Sequence, residues 1–187
     1  MRKEVPLELA TRLINHGPVV FVTSSSNGKH NITPVAWNMP VQKNPPMLVL
    51  EIGENHFIFD CIMETGDFVV NIPASTLVEK IVKCGSVSGR EVDKFDEFGL
   101  EAEESREVKS PSLKEAAAVL ECKLVKDEHL LTEYNMVVGE VKYAAAEEGA
   151  FSEHWLFDEG KVKTIHHLGN KTFCMPGERI VDLRKEK

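Results

Sequence analysis

Short apolar runs separated by turn residues divide most of the chain into predicted strands. Residues 18–37 hold two β-rich runs on either side of Asn27–Gly28, a pair that tolerates the positive φ angles of a tight hairpin turn. We expect residues 45–53 and 67–73 to form a second strand pair. The further strands predicted by this pattern cover residues 117–130, 135–147 and 160–170.

Helical spacing of apolar residues occurs at three places between these strands. Residues 9–14 predict a short opening helix, and NHFIFDCIMETG predicts a helix that ends at Gly66. In STLVEKIVKCG, Thr76 and Glu79 have the spacing of a capping box and Gly85 is a typical terminator. The sequence therefore predicts three short helices.

The segment 86–118 is charged and lacks a clear period, so we expect it to run over the surface. Six or seven strands in hairpin-friendly order, with helices inserted between them, favour an antiparallel barrel over a doubly wound sheet. The chain shows neither an internal repeat nor a linker. We therefore predict one domain over residues 1–187, of the mainly β class.

Charge and composition narrow the possible partners. The formal charge is -8 and the pI about 5.4, whereas a nucleic-acid interface needs clustered Lys and Arg. No apolar stretch approaches the ~20 residues that span a bilayer. The N-terminal segment carries Glu4 and Glu8 where a signal peptide would be apolar. With four scattered cysteines, these features predict a cytoplasmic protein without nucleic-acid or membrane partners.

The common catalytic motifs are absent from the sequence. It contains no GxGxxG after a strand, no GxxxxGK[ST], no HExxH and no GxSxG. Residues 24–26, a run of serines, are interpreted as polar sequence entering the hairpin turn. His166 and His167 are adjacent in a predicted strand and so point to opposite faces, which argues against a shared metal ion.

The stretch HNITPVAWNMPVQKNPPMLVLEI, residues 30–52, is too irregular for a plain strand. Asn31, Thr33 and Asn38 offer side-chain hydrogen bonds. Pro34 and Pro40 interrupt the strand, so that some backbone N–H groups remain available. Such a segment can hold a phosphate or the polar edge of a ring.

Trp37, in the middle of this stretch, has two interpretations. Its indole offers a flat apolar wall beside these polar groups. Alternatively, it is a core residue of a bulged barrel strand, which the chemistry of the residue alone favours.

Six ordered segments resemble the flavin reductase-like, FMN-binding split-barrel family, and its flavoredoxin-like branch in particular. They are NGKHNITPVAWNMPVQKNPPMLVLEI, METGDFVVNIP, KCGSVSGREVDKFDEFGL, LECKL, VVGEV and HHLGN. The resemblance extends from about residue 17 to about residue 173. It implies a six-stranded antiparallel split β-barrel, a homodimer, and one non-covalent FMN per subunit near the dimer interface.

The resemblance also implies a set of cofactor-binding residues, to which side-chain chemistry adds apolar walls for the flavin ring. The set comprises Thr33, Pro34, Val35, Ala36, Trp37, Asn38, Val41, Asn55, His56, Phe57, Ser88, Arg90, Lys94 and His167. No residue is assigned a catalytic role, because the flavin itself supplies the redox chemistry.

The sequence departs from the family pattern at three positions. Asn55 stands where relatives carry an Arg, and Ile58 where they carry a Thr. Phosphate binding is therefore expected to depend on helix-end amides, His56, Arg90 or Lys94. Tyr134 occupies the place of a His that many relatives carry, so a role of that His in receiving a nicotinamide does not transfer.

The function that the resemblance implies is FMN binding with electron transfer. The first alternative is a flavin reductase that uses NAD(P)H, and the second is a flavoredoxin-type carrier that exchanges electrons with a redox protein. A sensor that binds flavin or haem without turnover is a third alternative. In that sensor Cys84 could respond to redox state, although packing is the simpler role for this thiol.

Overall fold

The structure, a computed structural model, describes residues 4–157 and 162–177 and is mainly β with inserted helices. None of the helices in these two ranges is long and apolar enough to cross a membrane. The strands are β1 (Val20–Ser26), β2 (Lys29–Val35), β3 (Asn38–Lys43), β4 (Pro46–Glu51), β5 (Asp67–Pro73), β6 (Ala102–Glu103), β7 (Ser112–Leu113), β8 (Ala116–Val125), β9 (Met136–Ala146), β10 (His166–Gly169) and β11 (Thr172–Cys174).

The helices are short, as the sequence predicts, but the type of the opening helix and the N-terminal cap of a later helix differ from the prediction. They are α1 (Phe57–Thr65), α2 (Val78–Gly85), α3 (Lys94–Phe98) and α4 (Glu128–Tyr134). The opening helix is a 3₁₀ helix, Leu7–Leu13, without a buried residue. The predicted capping box at Thr76 and Glu79 does not form, because a 3₁₀ turn over Ser75–Leu77 precedes α2 and its N-cap makes no side-chain bond.

The main sheet is antiparallel, with the strand order β2-β1-β5-β8-β9-β4-β3. The hairpin predicted at Asn27–Gly28 is confirmed: both residues have positive φ, and Ser26 pairs with Lys29. The predicted pairing of residues 45–53 with residues 67–73 is wrong. β4 lies between β3 and β9, whereas β5 lies between β1 and β8.

Two residues join the opposite ends of this sheet. β2 and β3 are the first and last strands in the order, yet only Ala36 and Trp37 separate them in the chain. The sheet must therefore curl until the end of β2 lies next to the start of β3, as in a split barrel. The described sheet has seven strands rather than six, because the proline-rich stretch forms a strand of its own, β3, with a bulge between Pro40 and Gln42.

β1 is buried on both faces and separates two apolar clusters. Val20 and Val22 lie in a cluster to which α1 contributes Ile58 and Ile62, and Phe21 lies in a second cluster. The second cluster also contains Leu77, Ile81, Phe95, Leu100 and Leu113, so α2 and α3 cover the outer face of the barrel. The gap between this helical cover and β2 is where the candidate site lies.

The segment 86–118 is more ordered than the sequence predicts. It contains α3 and the β6–β7 ribbon, and its residues Phe95, Leu100 and Leu113 are buried in the second cluster. Three buried side chains of the sheet hold its backbone: Asp67 accepts from the Ser110 amide, Asn71 from the Leu113 amide, and Glu121 from two further amides. Their pattern in the sequence is that of ordinary strand residues, so this anchoring was not predicted.

The later strands are shorter than predicted. β8 ends at Val125, and residues 128–134, of which the pattern assigned 128–130 to the strand, form α4 with Asp127 as its N-cap. The predicted strand at 135–147 is confirmed as β9. The predicted strand at 160–170 is confirmed only as β10, and its first two positions lie outside the described residues. The assignment of residues 1–187 to one domain stays a prediction.

Candidate functional site

Three adjoining cavities lie along β2 and along Ala36 and Trp37, the two residues that link β2 to β3. We call these three cavities together the cleft. The Lys94 cavity measures about 320 Å³, the Trp37 cavity about 190 Å³ and the His167 cavity about 260 Å³. Pro34 lines all three cavities, and Thr33 and His56 line the first two. The segment singled out in the sequence is therefore the continuous wall of one cleft.

A buried cation lies at one end of the cleft. Lys94 is 3% exposed and donates from Nζ to the Cys84 carbonyl oxygen at 2.8 Å. Burial lowers the pKa of this ammonium group below its ordinary value. No carboxylate in the described part of the chain forms an ion pair with it. The positive charge is thus desolvated without a partner of opposite sign, which is costly unless an anion binds.

Asn31 lines the same cavity and makes no hydrogen bond. Its side chain is 2% exposed, and neither its amide oxygen nor its amide nitrogen has a partner. Buried amides are nearly always satisfied, so such a group points to a missing polar ligand. Gly89 keeps the adjacent space open, because a Cβ there would collide with the Asn31 amide and lie 2.9 Å from the Phe57 ring.

The N-terminal end of α1 faces this cavity from the opposite side. Asn55, His56 and Phe57 line it, and His56 is the N-cap of α1 without a side-chain capping bond. Ser88 closes the cavity on the loop after α2 and accepts a hydrogen bond from the Arg90 amide. The first-turn amides of α1 and the Ser88 hydroxyl are donors of the kind that an anion uses.

Arg90 is not among the residues that line the cleft. Its guanidinium donates to the Asn55 carbonyl oxygen at 2.9 Å and to Asp60 Oδ2 at 2.5 Å, and it lies over the Phe57 ring. These contacts hold the loop after α2 against α1. They also pair the Arg90 charge with the Asp60 carboxylate. The placement of Arg90 among the cofactor-binding residues is therefore not supported by its position, and Lys94 is the buried cation of the cleft.

Trp37 is not a core residue, so the second interpretation of this residue is wrong. Its side chain is 48% exposed and lines the Trp37 cavity together with Val35 and Ala36. The Asn15 amide, oriented by its partners, accepts from the indole Nε1 at 2.5 Å and donates to the Ala36 carbonyl oxygen at 3.2 Å. The N-terminal segment thereby fixes the wall of the cleft.

The cleft is lined by Thr33, Pro34, Val35, Ala36, Trp37, Asn55, His56, Phe57, Ser88, Lys94 and His167. Two further residues of the predicted set lie away from it. Asn38 turns to the Pro18 and Val35 carbonyl oxygens, and Val41 is exposed on β3, which is an edge strand.

Several lining residues are absent from the predicted cofactor-binding set. Asn31 lies two positions before Thr33 on β2, so strand alternation places both on one face and could have indicated it. Asn170 and Lys171, in the turn between β10 and β11, line the His167 cavity. No local pattern marks these two residues, because their position depends on how the hairpin packs against α2.

The thiol beside the cleft is not poised for redox chemistry. Cys84 lines the Lys94 cavity but is fully buried, and burial raises its pKa to about 11. At neutral pH it is therefore a thiol, not the reactive thiolate. Among the described residues no group of three or more His, Cys, Asp or Glu is arranged to hold a metal ion.

Comparison with known proteins identifies the class to which this fold and cleft belong. The model of the flavin reductase like domain matches residues 13–166, so the chain belongs to the flavin reductase-like, FMN-binding domain family. The chain is also 36% identical over 186 residues to the uncharacterized protein YddH of Escherichia coli K12, covering 96% of this chain and 98% of that one.

Solved structures agree with this assignment. An FMN-binding domain of a flavin reductase-like enzyme from Shewanella baltica superposes with a TM-score of 0.85 at 28% identity, covering 95% of each chain. A flavoredoxin from Methanosarcina acetivorans gives 0.75 at 25% identity, covering 99% of this chain and 96% of that one. The split-barrel class predicted from the sequence is confirmed.

Proposed function

We propose that the chain binds FMN in the cleft and reduces flavin with NAD(P)H. The observation that carries the FMN assignment is the Lys94 cavity, where a desolvated cation and an unpartnered buried amide, Asn31, face a space that Gly89 keeps open. Family membership and the FMN-binding structure from Shewanella baltica support the choice of flavin over other anions.

The residues of the cleft fit the two ends of this cofactor. Lys94, Asn31, Ser88 and the first-turn amides of α1 would hold the phosphate, whose charge is about -2. Pro34, Ala36 and Trp37 would provide the apolar walls of the ring. When bound, FMN supplies the redox chemistry by accepting a hydride and a proton.

The His167 cavity favours a reductase over a pure electron carrier. It adjoins the Trp37 cavity through Pro34 and Ala36, and so gives a small-molecule donor room beside the proposed ring position. A carrier that exchanges electrons with a protein needs no such space. A sensor without turnover is the competing function. Spectra and turnover measurements separate the reductase, the carrier and the sensor.

The test begins with the visible spectrum of the purified protein and with fluorescence titration of FMN into the FMN-free form. We expect a flavin spectrum or saturable uptake, and the absence of both would refute the proposal. NADH or NADPH oxidation with FMN present then decides the activity. Steady turnover supports a reductase, negligible turnover with bound FMN that a redox partner can reduce indicates a carrier, and bound FMN without either indicates a sensor.

We also propose that the protein is a homodimer, as the resemblance implies. Trp37, Met39 and Val41 expose about half of their side chains at alternate positions along the link and edge strand β3. An exposed apolar edge of this kind is a usual site of association. Light scattering should give twice the mass of one chain, and Met39→Glu should shift the mass toward the monomer. A monomeric wild-type protein at micromolar concentration would refute the dimer.

A further inference from the structure

The Trp37 cavity contains a carboxylate that the site described above does not use. Glu51 lines this cavity, and among the described residues that line the cleft it is the only Asp or Glu. Within the described ranges, 4–157 and 162–177, Glu51 forms no ion pair. Its negative charge therefore faces the cleft without a cation of the described chain beside it.

Strand alternation decides the side on which Glu51 lies. It is the last residue of β4, and its neighbours Leu50 and Ile52 are buried in the first of the two apolar clusters. Adjacent side chains of a strand point to opposite faces, so Glu51 points away from that cluster. The Glu51 amide donates to the Trp37 carbonyl oxygen at 3.0 Å, and the Ile52 amide donates to the Asn135 carbonyl oxygen at 2.9 Å. The backbone thus holds the carboxylate beside the wall of the Trp37 cavity.

The cleft therefore carries opposite charges at its two ends. Lys94 is a buried cation in one cavity, and Glu51 is an exposed anion in the other. His56 lines both cavities, so the two charges face one continuous space. A ligand that is negative at the Lys94 end and neutral at the Glu51 end is complementary to this arrangement.

Oxidised FMN has this distribution of charge in the position proposed above. Its phosphate would lie near Lys94, and its neutral ring would lie in the Trp37 cavity. Two-electron reduction with uptake of one proton leaves one negative charge on the ring. That charge would lie in the same cavity as the Glu51 carboxylate, and like charges at short range repel each other.

We propose that Glu51 makes the cleft discriminate between the two redox states of the flavin, favouring oxidised over reduced FMN. The inference rests on the proposed function and deepens it, because it names a residue that sets the electron affinity of the bound flavin. By a thermodynamic cycle, weaker binding of the reduced form lowers the midpoint potential of the bound flavin. Glu51 thus makes the bound flavin a stronger reductant than the same site would without this charge.

The experiment compares three variants with the wild-type protein. Glu51→Gln removes the charge at nearly constant size, and Glu51→Asp retains it. Glu54→Gln is the matched control, because Glu54 is exposed three positions further on and does not line the cleft. Fluorescence titration gives the dissociation constant of oxidised FMN, and spectroelectrochemistry gives the midpoint potential of the bound flavin. Together they give the dissociation constant of reduced FMN, and riboflavin is measured in the same way.

We expect Glu51→Gln to lower the ratio of the reduced to the oxidised dissociation constant about threefold to tenfold, the order of magnitude for two unit charges near a protein surface. A tenfold change raises the midpoint potential of the two-electron couple by about 30 mV. Glu51→Asp should keep most of the wild-type ratio, and Glu54→Gln should leave it unchanged. The difference between wild type and Glu51→Gln should shrink as salt is added, because Glu51 is exposed.

Three results would overturn the inference. The first is an unchanged ratio in Glu51→Gln, and the second is an equal change in Glu54→Gln, which would indicate an effect of net charge alone. The third is equally tighter binding of oxidised and reduced FMN with riboflavin unchanged, which would place the carboxylate near the phosphate. Each of these leaves FMN binding itself intact, whereas a wild-type protein that takes up no FMN would refute the proposed function and this inference together.

Discussion

Lys94 is the residue on which the proposed selectivity for a phosphorylated flavin depends. It is buried without a carboxylate partner in the described chain, and Asn31 beside it has no hydrogen bond. Both groups lose favourable contacts with water; Asn31 gains no hydrogen bond from the protein, and Lys94 gains the bond to the Cys84 carbonyl oxygen but no opposite charge. A phosphate would satisfy the two together, whereas a neutral ribityl chain would not.

We therefore expect Lys94→Gln to weaken FMN binding about 10- to 100-fold, the range for a charged hydrogen bond, and riboflavin binding much less. Arg90→Gln is the control, because Arg90 is paired with Asp60 outside the cleft. Fluorescence titrations with both flavins give the comparison. Equal losses of FMN and riboflavin in Lys94→Gln would show that Lys94 does not contact the phosphate.

The lowered pKa of Lys94 gives FMN affinity a pH dependence. The ammonium group attracts phosphate only while protonated, and in the FMN-free protein it loses its proton below the ordinary lysine value of 10.5. FMN affinity should therefore fall as the pH rises through the lowered pKa. Riboflavin affinity, and FMN affinity in Lys94→Gln, should stay flat over the same range, which titrations at increasing pH can check.

At the scale of elements, Asp67 connects β5 to the segment before β7. It accepts hydrogen bonds from the Lys109 and Ser110 amides and the Ser110 hydroxyl, and it pairs with Lys123 at 2.8 Å. Desolvation raises its pKa, but Lys123 and these hydrogen bonds outweigh that effect and hold the pKa below 3.8. This carboxylate thus stabilises the fold as an anion.

Asp67→Asn should lower the free energy of unfolding by about 2–4 kcal/mol, since it removes one partner of a buried ion pair whose lysine is partly exposed. Hydrogen exchange should rise first at the Lys109 and Ser110 amides, which Asp67 binds. The stabilisation by Asp67 is present above pH 3.8 and is lost as pH falls through the lowered value, so the variant and the wild type should converge in acid. Unchanged exchange at these amides would contradict the anchoring role.

The elements themselves were predictable to different degrees. Asn27–Gly28 fixed its hairpin because the turn conformation depends on those two residues alone. β3 was not predicted from the sequence, because Pro40 argues against a strand. A proline is tolerated in β3 because β3 is an edge strand, and that position depends on the whole sheet. In SGREVDKF the sequence shows two cations, Arg90 and Lys94, but which one is buried depends on Asp60 in a distant helix.

At the scale of the whole molecule, three adjacent strands of the sheet pack closely at a single glycine. Gly139 on β9 lies against Phe68 of β5 and Cys122 of β8, and a Cβ there would lie 2.9 Å from the Cys122 Cβ. Three strands meet at this point without space for a methyl group. A glycine is therefore required for a steric reason rather than a conformational one.

Gly139→Ala should destabilise the protein by about 1–3 kcal/mol, the usual cost of overpacking a core. Gly17→Ala is the matched control, because a Cβ at that position meets nothing within 4 Å. Thermal or urea unfolding of both variants measures the difference. Equal stability of the two variants would show that the barrel adjusts at Gly139 without cost.

The two-residue link of Ala36 and Trp37 has a consequence for aggregation. β2 and β3 are the sheet's edge strands, each with backbone groups that another chain could pair with, and the link ties the end of β2 to the start of β3. A circular permutant with its new termini between Ala36 and Trp37 would retain every strand but leave both edge strands with a free end. It should aggregate at concentrations at which the natural chain does not, because the protection comes from chain connectivity and not from composition.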